Sequence, residues 1–278
     1  MTSDIAETKI NFDKRPLLTI SLVTYNPDYE ELQKTLDSLK VALEMLPKDS
    51  YKITVIDNSI SEEVISFLQK YDQDLPIRII HGQGNVGFGH AHNLAFTSMG
   101  EFHLILNPDI ELSPDALIKA LNFMEAYPQC GLLSPYATWP NGTRQYLCKR
   151  YPALFDLFLR GFAPRAMQSF FSKRMARHEL RHETQLNVYW NPPLVSGCFM
   201  FFRSSVLEKI GGFSDDFFLY FEDFDLSLRS CQAAKTAYVP TVVIVHSGGH
   251  AARKGFQHIK VFLKSAVTFY RKHGLKII

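Results

Sequence analysis

The chain has 278 residues, of which 46% are hydrophobic, and a formal net charge of +2. A chain of this length and composition can bury a large core, so we expect one folded domain, with or without an appended lobe, and not a disordered chain. The small net charge argues against nucleic-acid binding through bulk electrostatics. The four cysteines show no CxxC spacing, which indicates reduced thiols in a cytoplasmic protein.

The chain carries neither a predicted secretory signal nor a predicted membrane span. Its N-terminus lacks the basic and then apolar layout of a signal peptide, and its apolar runs fall short of the ~18 residues that a span needs. Any contact with a membrane is therefore expected to be peripheral.

The first half of the sequence alternates predicted strands with predicted helices. Residues 17–24 form a near-continuous apolar, β-branched run, typical of a strand buried on both faces of a parallel sheet. The following segment has leucines in 4-3-4 spacing, which predicts a helix with one buried stripe, capped by Asn26 or Asp28. Further strands are predicted at 53–56, 77–80, 102–106 and 131–136, and further helices at 62–71, at 90–98 and from Ser113 onward. This alternation predicts an α/β fold with a mostly parallel sheet and right-handed crossovers.

Polar residues follow four of these strands, at 24–26, 57–59, 82–87 and 107–109. In parallel sheets, ligands bind at the carboxyl ends of the strands. The four strand ends are therefore predicted to line one crevice.

The second half begins with a change in composition. Basic residues greatly outnumber acids in segment 144–181 and alternate with aromatic ones, and strand-like runs follow at 194–203 and 238–246. Residues 256–273 have the pattern of a basic amphipathic helix. We therefore divide the chain into a flexible arm (1–16), an α/β half (17–143), a basic and aromatic lobe (144–193) and a second half ending in the basic helix (194–278).

Three carboxylates, Glu222, Asp223 and Asp225, cluster behind an aromatic run at the start of a predicted helix. Acids at a helix start often serve only as caps. Capping does not explain why three mutually repelling carboxylates cluster beside large aromatic rings. Burial there should raise the pKa of at least one of them toward the range of a general base. Capping and catalysis both remain open from these residues alone.

Three further residues could bind a ligand at strand ends. Asp57 could accept a hydrogen bond from a pyrimidine N–H or cap the next helix. In Asn107-Pro108-Asp109, Asp109 offers one hard oxygen ligand to Mg²⁺ or Mn²⁺, although this tripeptide is also ordinary turn chemistry. His246, which begins the sequence His-Ser-Gly-Gly-His, is a candidate second ligand or a structural histidine.

The stretch Gly82-Gln83-Gly84-Asn85-Val86-Gly87 matches GxGxxG between a strand and a helix, so a dinucleotide-dependent oxidoreductase must be considered. That fingerprint normally belongs to the first strand of its unit, with a ribose-binding acid at the end of the next strand. Here it follows the third strand, and the candidate acid, Asp109, comes after Asn-Pro. A glycine-rich loop over a sugar or phosphate fits equally well.

Seven motifs together resemble the family 2 glycosyltransferases with the GT-A fold. They are Thr-Tyr-Asn-Pro at 24–27, Val-Ile-Asp-Asn-Ser at 55–59, Gly-Asn-Val-Gly-Phe-Gly at 84–89 with Asn93, Leu-Asn-Pro-Asp at 106–109, Ser-Gly-Cys-Phe-Met at 196–200, the acidic segment 218–229 and His-Ser-Gly-Gly at 246–249. Their order is that of the family, and they span residues 17–250. Within the family, the sequence is similar to bacterial rhamnosyltransferases that use dTDP-L-rhamnose to build O-antigen or other cell-surface polysaccharides.

The resemblance implies an inverting, metal-dependent sugar transfer with Asp223 as catalytic base. It assigns the nucleotide-sugar to Thr24, Tyr25, Asn26, Asp57, Asn85, Gly87, Asn93 and Asn107, the metal, Mg²⁺ or Mn²⁺, to Asp109 and His246, and acceptor binding or support to Glu222, Asp225 and Arg229. The chain departs from the family at Asn107, where the first acid of the DXD motif is usual. The site has one negative charge fewer, so we expect it to hold its metal loosely without the nucleotide.

The implied partners are a dTDP- or UDP-sugar donor and a glycan acceptor linked to polyprenyl diphosphate at the cytoplasmic face of the inner membrane. Segment 144–181, with Lys254, Lys260, Lys264, Arg271 and Lys272, is interpreted either as a surface for anionic lipid or as an acceptor lobe with a solvated basic face. Three alternatives stay open: another hexosyl or galactofuranosyl transferase using a UDP-sugar, an NAD or nucleotide-sugar oxidoreductase, and a catalytically silent sugar-nucleotide-binding module.

Overall fold

A computed structural model describes residues 15–161, 163–248 and 256–277. Most of the predicted arm 1–16 lies outside the described residues, as do Gly249, His250 and Lys254.

The first half follows the predicted alternation of strands and helices. Its elements are β1 (Leu18–Thr24), α1 (Tyr29–Leu43), β2 (Tyr51–Asp57), α2 (Glu63–Leu68), β3 (Ile77–Ile80), α3 (Phe88–Ala95), β4 (Phe102–Leu106), β5 (Ile110–Leu112) and α4 (Ala116–Ala126). Every residue of β1 is buried, as expected for a strand covered on both faces. Asp28 caps α1 by accepting hydrogen bonds from two first-turn N–H groups, and the leucine stripe of this helix is buried. The strand β5 was not predicted.

The second half contains shorter elements. They are β6 (Cys130–Thr138), β7 (Arg144–Gln145), β8 (Cys148–Lys149), α5 (Leu154–Gly161), α6 (Arg165–Phe170), α7 (Ser172–His178), β9 (Tyr189–Trp190), β10 (Leu194–Val195), β11 (Phe199–Arg203), α8 (Ser204–Ile210), α9 (Glu222–Ala233), β12 (Lys235–His246) and α10 (Phe256–His273). The helices α5 to α7 form the predicted helical lobe. Among the described residues, none of the helices combines the length and apolar character needed to cross a membrane.

The main sheet is mixed but mostly parallel, in the order β3-β2-β1-β4-β11-β6-β12-β5. The strands β1 to β4 run parallel, whereas β11 is antiparallel to both of its neighbours and β5 is antiparallel to β12. Two apolar clusters fill the space between this sheet and its helices. The predicted α/β architecture is thus confirmed, and the carboxyl ends of β1, β2 and β4 meet at one edge.

One predicted strand, 194–203, is in fact two. The backbone leaves the ladder at 196–198, so that β10 pairs with β8 in a small separate sheet and β11 joins the main sheet. The cause lies in hydrogen bonds made within the break: the Ser196 N–H donates to the Leu147 carbonyl, and the Gly197 N–H donates to a side chain of α9. We call residues 196–198 the central turn.

Candidate active site

Asp57 is held rigidly at the edge of the sheet. The register pairs it with Thr24, whose hydroxyl donates to Asp57 Oδ1 at 2.9 Å. The backbone N–H and hydroxyl of Ser59 donate to the same oxygen at 3.1 and 2.7 Å, and His81 Nδ1 lies 3.0 Å from Oδ2. The carboxylate is fully buried. It does not cap α2, because the first-turn N–H of that helix bonds the hydroxyl of Ser61 instead.

Tyr25 and Asn26 follow β1 at the same edge. The Tyr25 side chain is 54% exposed, which leaves a ring face open to stacking. Asn26 has a left-handed backbone with φ of 45°, and its N–H donates to Ser59 Oγ at 2.8 Å. Both residues therefore border the Asp57 network.

The glycine-rich loop closes over this network and joins it to the acidic segment. Asn58 Nδ2 donates to the carbonyl of Gly87 at 3.2 Å, and the side chain of Asn85 accepts from the Gly87 N–H at 3.1 Å. The next residue, Phe88, donates its N–H to the carbonyl of Phe218. A Cβ at position 87 would lie 2.3 Å from that carbonyl oxygen, so close backbone approach explains the glycine.

Asn93 fastens α3 to the loop that leads to α9. Its Nδ2 donates to the Phe213 carbonyl, and its Oδ1 accepts from the Phe213 N–H, each at 2.9 Å. This contact orients the loop, while the predicted nucleotide contact of Asn93 stays a prediction.

Asn107, Asp109 and His246 meet where β4 and β12 end. His246 Nε2 lies 3.5 Å from Asp109 Oδ2, and the Ser247 N–H donates to the Asp109 carbonyl. Gln145 fixes the imidazole, since its Oε1 lies 2.8 Å from His246 Nδ1 and its Nε2 donates to the His246 carbonyl.

The charges at this site are coupled. Burial lowers the pKa of His246, but the neighbouring Cys198 and the Asp109 carboxylate raise it, and the resulting pKa is about 10. Burial raises the pKa of Asp109, but the hydrogen bond from His246 lowers it, and the resulting pKa is below the usual range. A protonated His246 thus pairs with an ionised Asp109, and a divalent cation would have to displace that proton.

The donor atoms at this site fit a hard divalent cation. Within the described ranges, Asn107 Oδ1 and Asp109 Oδ1 are buried without a hydrogen-bond partner, which is costly unless something else binds them. Two oxygens and an imidazole nitrogen suit Mg²⁺ or Mn²⁺ completed by phosphate oxygens. The described residues contain no group of three or more His, Cys, Asp and Glu side chains that could form a complete cage. A cation here would therefore depend on additional ligands.

Glu222, which is buried, and Asp223, which is half-buried, form an acidic pair at the start of α9. Asp223 Oδ2 accepts from the Gly197 N–H at 3.0 Å, and its Oδ1 accepts from the Phe224 N–H at 2.9 Å. Glu222 is buried, and its Oε2 has no partner among the described residues. Burial and the neighbouring Asp223 charge raise the pKa of Glu222 to about 8, and burial also raises the pKa of Asp223.

The two acids differ in what opposes the effect of burial. Backbone N–H groups and the Lys149 charge act to lower the pKa of Asp223, whereas Glu222 has only its own backbone N–H to do so. Donors to the ionised form favour ionisation, so Asp223 loses its proton first and Glu222 keeps its own near neutrality. The pair can thus offer one carboxylate as a base.

The central turn connects the acidic pair to the site formed by Asn107, Asp109 and His246. Its Gly197 N–H binds Asp223, while the carbonyl of the next residue, Cys198, accepts from the Asn107 N–H at 2.9 Å. Two adjacent residues of the central turn therefore link Asp223 to Asn107. The predicted residues from both halves of the chain occupy one region.

Asp225 is an anchor inside the protein. It is fully buried and accepts from Arg229 Nε at 2.8 Å, from His273 Nε2 at 2.8 Å and from Lys272 Nζ at 3.0 Å. The pair with Arg229 expected from the i, i+4 spacing is present. This geometry favours support of α10 over direct contact of Asp225 or Arg229 with an acceptor.

Sequence reasoning missed three residues of this region: His81, Gln145 and Lys149. His81 contacts Asp57, Gln145 orients His246, and Lys149 is buried where its charge acts on Asp223. His81 directly follows a predicted strand, and that position was a usable signal. Gln145 and Lys149 lie in two-residue strands that carry no periodicity.

Fold and candidate site together combine an α/β sheet with polar residues at its strand ends, oxygen and nitrogen donors that fit a hard cation, and a pair of acids at the start of α9. Residues 19–211 match the family described as glycosyl transferase family 2, and the protein belongs to that family. It is a glycosyltransferase. The predicted family and enzyme class are thereby confirmed.

Two curated relatives are rhamnosyltransferases. The chain is 25% identical over 272 residues to the N-acetylglucosaminyl-diphospho-decaprenol L-rhamnosyltransferase of Mycobacterium tuberculosis, covering 91% of this chain and 83% of the relative. It is 29% identical over 232 residues to rhamnosyltransferase WbbL of Escherichia coli, covering 79% and 82%.

Solved structures of glycosyltransferases share the fold. The mannosyltransferase PcManGT from Pyrobaculum calidifontis, in complex with GDP-Man and Mn²⁺, gives a TM-score of 0.60 at 21% identity, covering 92% of this chain and 65% of that protein. GalNAc-T7 with UDP, GalNAc and Mn²⁺ gives 0.65 at 14% identity, covering 94% and 48%. The chain thus spans about two thirds of the first structure and half of the second. At these identities the likeness confirms the GT-A fold alone.

Proposed function

We propose that this glycosyltransferase moves L-rhamnose from dTDP-L-rhamnose, with inversion, to a hydroxyl of a lipid-linked glycan that becomes part of a bacterial cell-surface polysaccharide. The rhamnosyltransferase relatives support the sugar, and the diphospho-decaprenol named for one of them supports a polyprenyl-linked acceptor. One observation carries the proposal: the central turn binds Asp223 through Gly197 and Asn107 through the adjacent Cys198, and this link supports pairing a base with a metal site.

The nucleotide is proposed to lie over the carboxyl ends of β1 and β2. The rigid Asp57 carboxylate, with Thr24 beside it, faces the base, and the exposed Tyr25 ring is free to stack. Asn26, Asn85, Gly87 and Asn93 shape the loops around the sugar diphosphate. Because recognition of the base depends on groups that dTDP and UDP share, a UDP-hexose or UDP-galactofuranose donor is the alternative.

The metal is proposed to be held by Asp109 and His246, with Asn107 adjacent. A bound Mg²⁺ or Mn²⁺ would supply positive charge to the departing nucleoside diphosphate. With one carboxylate in place of two, the protein groups alone hold the cation weakly, and the diphosphate oxygens complete its shell.

Asp223 is proposed to act as general base in a single displacement. The acceptor hydroxyl gives its proton to Asp223 while its oxygen forms a bond to the anomeric carbon, and the bond from that carbon to the diphosphate oxygen breaks with its electron pair. Attack opposite the leaving group inverts the anomeric centre. Glu222, protonated near neutrality, keeps a second negative charge away from the incoming oxygen.

The acceptor is proposed to be met at the cytoplasmic face of the inner membrane. The helix α10 contains no Asp or Glu and exposes Ile259, Leu263 and Val267 beside Lys260 and Lys264. Exposed apolar residues flanked by cations are typical of helices that lie on anionic lipid.

The decisive experiment is a transfer assay with Asp223→Asn. We expect kcat to fall by roughly three decades, because a base has been removed, while dTDP-sugar affinity stays within about two-fold. Asp215→Asn is the matched control, since Asp215 is an exposed acid in the loop that precedes α9. Retained activity in Asp223→Asn would remove Asp223 from this role. A donor screen with dTDP-, UDP-, GDP- and CMP-sugars, with and without metal, tests the choice of nucleotide.

A further inference from the structure

An apolar cavity lies in the helical lobe, away from the polar strand ends. Its volume is about 550 Å³, within the range of small-molecule sites. It is lined by Leu154, Phe155, Phe158, Phe171, Arg174 and Ile277. The proposed function gives this cavity no role.

The walls of the cavity are organised aromatic surfaces. The Phe155 ring meets Phe171 edge-on with centroids 5.2 Å apart and stacks on Phe158 at 6.4 Å. The one charged side chain in the lining, Arg174, is paired with Asp156 at 2.6 Å and lies over the Phe155 ring. The neutralised guanidinium leaves a pocket suited to a hydrocarbon.

The mouth of the cavity faces solvent through apolar groups. The exposed fractions of Leu154, Phe158 and Ile277 are 41%, 45% and 62%. The tail after α10 is fixed here, because the Leu154 and Phe155 N–H groups donate to the carbonyls of Lys276 and Ile277. Exposing so much apolar surface at a pocket entrance is costly in water and is explained by a bound apolar ligand.

The position of the cavity relative to Asp223 follows from β8. Lys149 in β8 pairs with Leu194 in β10, next to the central turn that binds Asp223. Lys149 is buried, and the chain then runs through five residues to Leu154, a distance of at most ~18 Å for an extended chain. Leu154 in the cavity lining therefore lies within this distance of Lys149, which pairs with the strand that leads into the central turn.

This closeness fits a prenyl-diphosphate-linked sugar, which carries a hydroxyl, two phosphates and an isoprenoid chain in one molecule. We propose that the cavity binds the first isoprene units of the acceptor's lipid chain, with the diphosphate on the Lys149 side and the reactive hydroxyl at Asp223. This inference rests on the proposed function and adds a lipid-chain site to it.

The test is a calorimetric binding series with isopentenyl, geranyl and farnesyl diphosphate, which carry one, two and three isoprene units. We expect affinity to rise about ten-fold or more per added unit until the cavity is full, because each unit buries more apolar surface. Equal affinity across the series would overturn the proposal, since the diphosphate alone would then account for binding.

Two variants and a control locate the effect. Phe158→Asp and Ile277→Asp change partly exposed side chains at the mouth, so the fold should tolerate them, and each should reduce farnesyl diphosphate affinity at least ten-fold. Leu186→Asp is the control, because Leu186 lies in the same lobe, is 80% exposed and does not line the cavity. Unchanged affinity in both cavity variants would refute the site.

Two further outcomes are separable. If the cavity variants lose binding to phosphatidylcholine vesicles but keep the chain-length dependence, the cavity is a bilayer contact and the proposal fails. If the wild-type enzyme glycosylates a water-soluble acceptor without a lipid chain and shows no chain-length dependence, the lipid site is wrong while the proposed function stands. Absence of any transferase activity, with chain-length dependence present, would instead remove the proposed function.

Discussion

At the scale of single residues, the proposed metal motif offers one carboxylate, that of Asp109. The sequence resemblance leads us to expect an acid at position 107, where Asn107 has an amide oxygen, and that oxygen and Asp109 Oδ1 are buried without partners in the described part of the chain. An amide oxygen is a weaker ligand for a hard cation than a carboxylate because it carries no formal charge. The motif therefore predicts an affinity that depends on the donor diphosphate.

A reciprocal pair of isosteric changes tests this dependence. Asp109→Asn should weaken Mn²⁺-dependent dTDP binding by about ten-fold or more, since the site loses its one carboxylate. Asn107→Asp should do the opposite and allow Mn²⁺ to bind measurably without nucleotide. Both can be followed by calorimetric titration of Mn²⁺ with and without dTDP. An Asp109→Asn protein with an unchanged metal titration would rule out Asp109 as a ligand.

A second residue-scale feature is a chain of buried side chains beneath the site. His92 Nδ1 lies 2.7 Å from Ser21 Oγ, which lies 2.8 Å from His103 Nε2, and His103 Nδ1 lies 2.8 Å from Thr19 Oγ1. Both rings are fully buried. Burial lowers the pKa of His103 to about 3, and burial with the His103 charge lowers the pKa of His92 well below its usual value.

These histidines should make the fold sensitive to acid. Both histidines stay neutral in the folded protein, whereas in the unfolded chain they bind protons below pH 6.5. Their contribution to the free energy of unfolding is therefore present above that pH and is lost as pH falls below it. The loss approaches about 1.4 kcal/mol per pH unit for each histidine. In urea unfolding, His92→Gln should reduce the slope of stability against pH between 6.5 and 5, whereas His90→Gln, at an exposed position, should leave it unchanged. Equal slopes for all three proteins would contradict this account.

At the scale of secondary structure, α10 holds α9 in place. Two consecutive non-glycine residues before α9, Tyr220 and Phe221, have left-handed backbones with φ of 69° and 67°, a conformation that costs ~1–3 kcal/mol per residue. Contacts from α10 offset that strain: Ser265 Oγ donates to the Leu219 carbonyl, and the Tyr220 hydroxyl lies 3.0 Å from His258 Nδ1. Asp223 thus owes its position to a helix far away in sequence.

The buried Asp225 cluster is the strongest link between these helices. Burial raises the pKa of Asp225, but His273, Arg229 and Lys272 lower it, and the resulting pKa is below the usual range. The contribution of Asp225 to the stability of the fold is therefore present above the usual pKa and is lost as pH falls through the lowered value. Asp225→Asn leaves Arg229 and Lys272 without their counter-charge and should cost ~3 kcal/mol in the free energy of unfolding. Asp216→Asn, which removes an exposed partner of Lys272, should cost under ~1 kcal/mol. Comparable losses in the free energy of unfolding in the two variants would show that burial of the cluster contributes little to stability.

The outer face of α10 gives a prediction about lipid. Each basic residue near an anionic surface contributes ~1 kcal/mol to binding. The double change Lys260→Glu with Lys264→Glu should therefore lower co-sedimentation with phosphatidylserine vesicles more than about ten-fold. Lys48→Glu with Lys52→Glu makes the same charge change at exposed positions elsewhere and should have little effect. If the native protein binds vesicles equally well at every anionic lipid content, the proposal that α10 contacts a membrane is refuted.

At the scale of the whole molecule, the active site is assembled from both halves of the chain by very few contacts. The Phe88 N–H binds the Phe218 carbonyl, Asn93 binds Phe213, and the central turn binds both Asp223 and Asn107. The sequence motifs supplied the candidates on both sides of these contacts. They did not supply the contacts, because three of the four join positions about 90 to 130 residues apart and the fourth, from Gly197 to Asp223, joins positions 26 residues apart.

What the sequence determined by itself follows from local periodicity and strand-end chemistry. The fully apolar run of β1, the leucine stripe of α1 and the amphipathic α10 each fixed an element because the repeat of apolar residues matches the repeat of the backbone. The polar residues after β1, β2 and β4 then fell at one edge because parallel strands end together.

Only the tertiary structure decided how these parts are connected and charged. It split residues 194–203 into two strands, inserted β11 antiparallel between β4 and β6, and turned Asp225 into an anchor for α10. It also gave two adjacent acids different surroundings, because the N–H groups of Gly197 and Phe224 and the Lys149 charge oppose the effect of burial at Asp223, whereas Glu222 has only its own backbone N–H. Hydrogen-bond partners and burial depend on residues remote in the chain, and that dependence is the physical reason these features could not be read locally.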